Sequence, residues 1–577
     1  MNAPNHARWF GLVFISLAVA LIIVDSTIVN VIIVDSTIVN VIIVDSTIVN
    51  VAIPSIVKVL SVTSTQVQWV QESYTLVFAA LLLVFGNLAD RFGRRRLLVL
   101  GVTVFALSSV LAALSQSGDF LIGARVLQGI GGAMVLPTTL SIINATFQGK
   151  ERALAFAVWG STIGGMTAVG PLLGGWLTTD FSWRWAFAIN IPLGVIIIVG
   201  ALLTVAETSD PGAGRSVDWG GAALSVLASA SLVFGLIEGR NYGWWLTNVP
   251  FQIGDLSWPY QLSPVPVAFA LMAASGVVFV VRGRARDRRG ASSMLDFSLF
   301  AIPSFRNGNI AAMIVSLGEF GIILSLPIWL QNVLGYTALQ TGLILLALAV
   351  GSFLASGFVG ALGNKIPAVA VVRIGIAAEI VGITGLGAVI GPSTGWGILI
   401  PFLFVYGFGV GLATAQLTGV VLKDVPPAKS GQASGTASTG RQIGSALGIA
   451  VLGTILFTTA TVQLDNSLKD RQVPEPSRSE VVSAVGESSG AAIAGLENNT
   501  QTLAVADAGR KAFSNGTKYS AYAAAGFLAI GLLATLSLGR GTAAEKIRTP
   551  VAITATVHQA HNGLPDHDDK RNRRSRP

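Results

Sequence analysis

Long apolar stretches recur along the whole chain and limit the folds that it can adopt. An apolar stretch of about 20 residues crosses the roughly 30 Å hydrocarbon core of a bilayer as a helix. The sequence has fourteen such stretches, and they are continuously apolar rather than alternating with the period of two that a β-barrel requires. We therefore predict an all-α polytopic membrane protein with transmembrane helices at 29–53, 66–86, 97–115, 120–143, 153–178, 185–206, 218–238, 263–282, 306–330, 340–362, 367–391, 397–420, 432–460 and 519–539.

Basic residues are distributed unevenly between the two sets of loops. The loop 87–96 carries four arginines, the segment 282–289 carries five, and the tail ends in the basic sequence DHDDKRNRRSRP. The short loops of the other set offer only Lys58, Arg184 and Arg240. Because short cytoplasmic loops carry the excess of Lys and Arg, we expect both termini to be cytoplasmic.

Composition excludes several kinds of chemistry. The chain has no cysteine, and its four histidines lie in the terminal segments. A thiol site, a metal site or a histidine proton relay inside the membrane is therefore not expected, and any proton relay there must use carboxylates. A membrane-embedded enzyme would need a nucleophile and base or a metal, so we predict no enzyme activity. The net charge of +8 fits the orientation, and we expect no nucleic-acid partner.

A repeated unit stands at the start of the first predicted span. The sequence VDSTIVNVII is written almost three times between Leu21 and Asn50. The 49 residues from 9 to 57 carry no charge except Asp25, Asp35 and Asp45, and as one helix they would be about 74 Å long, more than twice the bilayer core. Two of the copies therefore exceed what one span needs, and the repeat is a recent duplication or a sequence error.

One copy of the repeat is expected to be functional. Because the link from Pro54 to the second span is short, we assign that copy to Asp45 and Asn50. On this assignment, residues 9–28 are displaced toward the cytoplasm or folded back along the membrane surface.

The loop after the second span has a distinctive composition. Residues 86–98 read GNLADRFGRRRLL, in which Gly86 and Gly93 permit a tight turn and close helix approach. Asp90 is placed to pair with an arginine such as Arg91 or Arg94, or with a helix N-terminus. The pattern resembles the signature of the major facilitator superfamily at every fixed position, which implies a conformational hinge here.

Arg125 lies in the otherwise apolar fourth span, in LIGARVLQGIGGA. An arginine at membrane depth costs a few kcal/mol, on the order of 3, and needs a partner or a water-filled cavity. The pattern is similar to R-x-x-Q-G in the superfamily, which implies a role in proton coupling for Arg125 with Gln128 and Gly129. A purely structural buried arginine is the alternative.

Two further stretches resemble motifs of exporters. The sequence GPLLGG in the fifth span joins a kinking proline to glycines that allow tight packing, at Gly170, Pro171, Gly174 and Gly175. The last repeat copy, VDSTIVNVAIP, is similar to the signature of the fourteen-span drug:proton antiporter family. With LPIWLQNVLGY and STGRQIGSALG, the resemblance covers nearly all of residues 44–460.

Four acids lie within predicted spans: Glu72, Glu238, Glu319 and Glu379. Glu319 is midway along its span and is our first candidate for binding a proton or a cation, whereas Glu72 and Glu238 are near outer ends, where solvated acids are ordinary. Glu379 is either such a site or a structural partner of Arg373, although a spacing of six residues makes contact within one helix unfavourable.

The family resemblance implies a domain plan. It is the major facilitator fold, with one six-helix half at 1–206, which includes the tandem repeat 21–50, and another at 297–540. Two additional helices with their linkers lie at 207–296. An outer loop of the second half, 461–518, is polar and long enough for a small helical cap, and a disordered cytoplasmic tail follows at 541–577.

The resemblance also implies a function. It is proton-coupled export of lipophilic, cationic drugs across the bacterial cytoplasmic membrane by a monomer, driven by the proton motive force without a cofactor. The expected partners are a small-molecule substrate, protons and the lipid bilayer. Export of a specific metabolite, antibiotic, lipid or amino acid by the same mechanism is the alternative. A channel is disfavoured, because the sequence has no repeated filter loop.

Overall fold

The computed structural model describes residues 7–22, 64–210, 216–247, 251–253, 256–362, 366–497 and 502–539. The helices, numbered in chain order, are α1 Ala7–Ile22, α2 Ser64–Phe92, α3 Arg94–Ala113, α4 Gly118–Thr146, α5 Gly149–Asp180, α6 Arg184–Ala188, α7 Asn190–Thr204, α8 Trp219–Tyr242, α9 Pro264–Arg288, α10 Pro303–Asn332, α11 Ala338–Leu362, α12 Ala368–Val389, α13 Trp396–Val421, α14 Ser430–Asp470, α15 Ser477–Glu487, α16 Ala492–Glu497 and α17 Leu503–Ala534. A two-residue antiparallel pair, β1 Gln252–Ile253 and β2 Leu256–Ser257, lies between α8 and α9.

The all-helical fold class is confirmed. Every predicted span from 66–86 to 519–539 overlaps a helix, and the span 185–206 is divided into α6 and α7. Within the described ranges, eleven helices are long and apolar enough to cross a membrane, so this is a multi-span membrane protein. The predicted span 29–53 lies outside the described residues, and the count of fourteen therefore stays a prediction.

Local sequence explains where several helices begin. The side chains of Ser117, Asp218 and Ser263 accept hydrogen bonds from backbone N–H groups in the first turns of α4, α8 and α9. Such capping satisfies donors that the first turn of a helix leaves without an intrahelical partner. The polar breaks between apolar runs thus define helix starts as well as loops.

Helix α1 corrects one expectation from the repeat. Its residues Leu12, Ile15 and Val19 are buried in the same apolar cluster as Ile197 and Ala201 of α7. The Arg8 guanidinium pairs with Glu151 at 3.5 Å, and the Trp9 ring packs on Phe147. The displacement predicted for residues 9–28 is therefore wrong for residues 9–22, because their apolar side chains gain more by burial in the bundle than by lying at a surface.

Two large apolar clusters organise the bundle. One contains residues of α1, α2, α3, α4, α5 and α7, and the other contains residues of α10 to α14 and α17. Helix α8 packs against α2 and α14, whereas α9 packs mainly against α8. The helices α8 and α9 are therefore joined to the bundle chiefly through one member of the pair.

Helices α14 and α17 continue beyond the spans predicted for them. Helix α14 runs for 41 residues and α17 for 32. Their extensions pack with α15 and α16 around buried apolar residues that include Leu464, Leu468, Val485, Ile493 and Phe513. The stretch 461–518 thus contains helices with their own apolar contacts, and Asn332 at the end of α10 donates a hydrogen bond to Ser489 O at 3.0 Å.

Candidate functional site

The turn between α2 and α3 depends on one glycine. Gly93 has φ of +104°, and a Cβ atom there would lie 2.7 Å from Glu207 Oε1. The Glu207 carboxylate accepts hydrogen bonds from the backbone N–H groups of Arg95 and Arg96, both at 3.1 Å. Only glycine allows this backbone conformation together with a carboxylate seated on the first turn of α3.

Asp90 and Arg94 form a buried ion pair beside this turn. Arg94 Nη2 donates to Asp90 Oδ1 at 2.6 Å, and both side chains are 2% exposed. The two Asp90 oxygens also accept from the backbone N–H groups of Gly431, at 2.7 Å, and Gln432, at 2.8 Å, in the first turn of α14. The carboxylate therefore faces the positive end of the α14 dipole, where a negative charge is stabilised.

The same place joins the two predicted halves of the chain, and we call it the Asp90 face. It comprises Asp90, Gly93, Arg94 and the segment 423–432. Arg94 Nη2 donates to Pro427 O at 2.7 Å, and Asn144 Nδ2 donates to Ser430 Oγ at 2.7 Å. A Cβ atom on Gly86 would lie 2.5 Å from Gly431 O, so the glycine lets α2 and α14 meet closely. The halves are therefore in contact and this face is closed.

Arg125 lies in a second polar group, inside the first half. Its Nε donates to Val70 O at 3.1 Å, and its Nη1 donates to Gln128 Oε1 at 2.8 Å. Gln128 Nε2 in turn donates to Ser109 Oγ at 2.7 Å. The guanidinium also lies 4.3 Å from the centroid of the Tyr74 ring, a favourable cation–π distance.

This second group joins three elements. A Cβ atom on Gly129 would lie 2.8 Å from Tyr74 O, so α2 and α4 approach closely there. The structure thus brings Arg125, Gln128 and Gly129 together, as their spacing predicts. Their role in proton coupling stays a prediction.

Glu319 on α10 belongs to a third polar group, which we call the Glu319 cluster: Glu319, Glu379, Tyr406, Thr414 and Arg441. Thr414 Oγ1 donates to Glu319 Oε1 at 3.0 Å, and Arg441 interacts electrostatically with the Glu319 carboxylate. Arg441 Nη2 donates to Thr414 O at 3.0 Å. Glu319 is 5% exposed, so its charge is held by a hydroxyl and a guanidinium instead of by bulk water.

Glu379 on α12 is the second acid of the cluster. It is fully buried, and among the described residues neither of its carboxylate oxygens has a hydrogen-bond partner. Its carboxylate interacts electrostatically with Glu319. Arg373, the alternative partner from the sequence, instead donates to Thr535 O at 3.0 Å. The two acids are therefore neighbours, which the sequence alone did not predict.

Arg441 was not identified from the sequence. It is a charged residue inside the apolar run 432–460, which is the signal that identified Arg125 and that would have found it. One expectation about acids was wrong: Glu238, near the end of α8, is 2% exposed and not solvated, because the aromatic rings of Trp69 and Phe234 lie beside it.

For several of the predicted site residues, the structure describes only the backbone or nothing. Asp45 and Asn50 lie outside the described residues. Helix α5 runs without a break through Gly170, Pro171, Gly174 and Gly175, and their packing role stays a prediction. In the described part of the chain, no group of three or more His, Cys, Asp or Glu is placed to hold a metal ion.

The sequence matches the profile of the Major Facilitator Superfamily over residues 36–449. The chain belongs to this superfamily. It is 31% identical to the multidrug resistance protein Stp of Mycobacterium tuberculosis over 83% of this chain and 82% of that protein. It is 32% identical to the multidrug efflux pump LfrA of Mycolicibacterium smegmatis over 91% of this chain and 94% of the pump. It is also 32% identical to a probable actinorhodin transporter of Streptomyces coelicolor, over 81% and 75%.

Solved structures of the Major Facilitator Superfamily show the same fold. The human organic anion transporter MFSD10 matches with a TM-score of 0.55 at 14% identity, covering 92% of this chain and all of the solved chain. The proton:xylose symporter XylE matches with a TM-score of 0.54 at 13% identity. The major facilitator fold predicted from the motif at Gly86 to Arg94 is therefore confirmed.

Proposed function

We propose that this chain is a proton-coupled exporter of lipophilic, cationic drugs in the bacterial cytoplasmic membrane, with both termini cytoplasmic. The printed names of the relatives Stp and LfrA describe multidrug resistance and efflux. The observation that carries the proton-coupled part is the Glu319 cluster, where two buried acids and one arginine share a small volume at membrane depth. Ionisable groups in that position mark ion and substrate pathways.

The described conformation has a place in the proposed cycle. The Asp90 face, which the sequence predicts to be cytoplasmic, is closed, so this state does not exchange substrate with the cytoplasm. A proton from outside neutralises Glu319, which weakens its attraction for a bound cation and for Arg441. Loss of the proton on the cytoplasmic side restores the charge, and a new cation competes with Arg441 for it.

The two acids of the Glu319 cluster can have different protonation states during transport. Glu379 has no donor among the described residues, and an unpaired buried carboxylate is costly, so we propose that it stays protonated while Glu319 is charged. Arg125 and the aspartate and asparagine of the repeat, Asp45 and Asn50, remain candidates for the first half of the relay. Monomeric function is part of the same proposal.

Efflux of a fluorescent lipophilic cation from proteoliposomes with an imposed proton gradient tests the proposal. We expect efflux that stops with an uncoupler and that falls at least tenfold in Glu319→Gln. Glu480→Gln, at an exposed acid on α15, is the matched control and should behave as wild type. Efflux that persists in both the uncoupled and the Glu319→Gln samples would refute proton coupling through this acid.

A specific, non-cationic substrate is the second candidate. The printed name of the Streptomyces coelicolor relative, a probable actinorhodin transporter, favours it, because that name refers to one compound. In this case wild-type protein moves no lipophilic cation in the efflux assay. Gradient-driven transport of a single non-cationic compound, with actinorhodin as the first probe, by the same proteoliposomes would then support the second candidate, and its loss in Glu319→Gln would retain the same coupling site.

A further inference from the structure

A second set of contacts closes the Asp90 face, and it comes from the linker that follows α9. Within the linker, residues 289–296, Met294 is 1% and Leu295 6% exposed, and both pack in apolar clusters of the bundle. Residues 293–295 of the linker are therefore embedded in the bundle, whereas residues 289–291 are exposed. Its polar groups contact both predicted halves of the chain.

The contacts with the first half involve the hinge motif. Asn87 Nδ2 donates to Met294 O at 2.8 Å, and Arg91 Nη2 donates to Ser292 Oγ at 2.7 Å. Arg91 Nε also donates to Asn87 Oδ1 at 2.7 Å, which fixes the two side chains relative to each other. The linker is thus held by two residues on one surface of α2.

The contacts with the second half involve the start of α14. The Asp296 carboxylate forms an ion pair with Lys429, and the Asp296 backbone N–H donates to Gln432 Oε1 at 3.0 Å. The backbone N–H of Gln432 is one of the two backbone donors to Asp90. One residue of α14 therefore takes part in both sets of contacts, through different groups.

The two additional helices are tied to the same place. Arg91 Nη1 donates to Ser216 O at 2.6 Å, just before α8. Asp218, the N-cap of α8, pairs with Arg282 of α9 at 3.1 Å, and Arg286 Nε donates to Ser292 O at 2.8 Å. The start of α8 and the end of α9, which are both predicted to be cytoplasmic, thus connect to the linker through charged side chains.

We propose that residues 292–296 form a latch, separate from the Asp90–Arg94 contacts, that holds this face closed and makes the α8–α9 pair part of the closing device. Five consecutive residues keep their bonds to α2 and to α14 together only while those helices are together. When the halves separate at this face, one side of the latch must break. The proposal rests on the rocking motion of the proposed function, and it assigns Ser292, Asp296 and Lys429 as positioning residues.

A labelling experiment in nanodiscs tests the latch without substrate or a proton gradient. The chain has no cysteine, so Ala433→Cys gives a single reactive thiol without background. Ala433 is fully buried, in the apolar cluster that includes Leu82 and Ile143 of the first half. The rate of maleimide labelling then reports the fraction of molecules open at this face.

Each latch variant has a conservative partner. Lys429→Met removes the ion pair with Asp296, and Lys429→Arg keeps it. Ser292→Ala removes the hydroxyl, and Ser292→Thr keeps it. We expect labelling to rise about two- to fivefold in Lys429→Met, as for a partly exposed ion pair, and about two- to tenfold in Ser292→Ala. Lys429→Arg and Ser292→Thr should label at the parent rate.

The variant Asp90→Asn distinguishes a failure of the latch from a failure of the assay to report opening of this face. If it raises labelling while Lys429→Met and Ser292→Ala do not, the latch is overturned and the rocking motion stands. If all three leave labelling unchanged, the latch is overturned and Asp90 is not a closing contact, while efflux by the parent chain decides separately whether the proposed function stands. Equal increases in Lys429→Met and Lys429→Arg would show that packing and not charge acts at this position, which would also overturn the latch.

Discussion

Replacing Asp90 with asparagine should open the Asp90 face. The ion pair between Asp90 and Arg94 lies within the first half and remains when the halves separate. Of the bonds that Asp90 makes, only those with α14 depend on closure. Asp90 accepts two backbone N–H groups of α14, at 2.7 and 2.8 Å. An asparagine has one acceptor oxygen, so its amide group would face one of these donors and one bond is lost together with the negative charge.

The magnitude follows from these two bonds. A hydrogen bond to a charged group contributes about 1.5–3 kcal/mol. Arg94 keeps its carbonyl acceptors Pro427 O and Ala428 O, so the cost stays below the 3–5 kcal/mol, approximately, of leaving a buried charge without any partner. We expect a loss of about 2–3 kcal/mol from the closed state alone, which moves the ratio of open to closed molecules by about 30- to 150-fold.

Distances between two spin labels measure this ratio directly. In the cysteine-free chain, Phe92→Cys on α2 and Lys423→Cys after α13 place labels at exposed positions on the two sides of the Asp90 face. We expect a second, longer distance population in Asp90→Asn. Asp470→Asn, at the exposed far end of α14, is the control and should keep the parent distribution. An unchanged distribution in Asp90→Asn would refute the assignment of Asp90 as a closing contact.

Three further predictions concern other parts of the chain. Arg125→Gln should lower the free energy of unfolding by about 1–3 kcal/mol, because Val70 O loses its donor, and should lose proton-driven efflux. Arg125→Lys keeps the charge and should be the milder variant in both thermal unfolding and efflux. A chain lacking residues 21–40 should insert and transport at least as well as the full chain, because it keeps the copy with Asp45 and Asn50 and its apolar run comes closer to the length of one span; poorer efflux would contradict this. Burial alone would raise the pKa of Asp296, but hydrogen bonds from Lys429 and Ser298 lower the pKa below its ordinary value. We compare the Ala433→Cys labelling rate with and without Lys429→Met at each pH, so that ionisation of the thiol cancels. The ratio of the two rates should stay above one from neutral pH down to about pH 4 and fall to one below it, as Asp296 becomes protonated and its pairing is lost.

Apolar length and charge at depth were enough to predict much of the fold. The spans from 66–86 onward were located because each apolar run is bounded by polar residues, three of which also cap helices. The motif at Gly86 to Arg94 was found because its residues are contiguous. Glu319 and Arg125 were found because a single charge in an apolar run stands out.

Contacts between residues that are far apart in the chain could not be predicted from the sequence. Glu319 and Arg441 are separated by more than a hundred residues, and no periodicity relates α10 to α14. The same holds for Met294 and Asn87. Helix α1 was misplaced because Pro54 was taken to fix the repeat from its outer end, whereas the apolar contacts of Leu12 and Ile15 fix the chain from the other side.

Helix α14 connects places that are otherwise far apart. With 41 residues it is about 60 Å long, roughly twice the hydrocarbon thickness of a bilayer. Its first turn binds the Asp90 carboxylate, and its last turns hold Leu464 and Leu468 among α15, α16 and α17. A tilt of about 10° would displace one end relative to the other by about 10 Å. An antibody fragment that binds only α15 and α16 would therefore slow the opening of the Asp90 face, at the other end of α14, without entering the membrane.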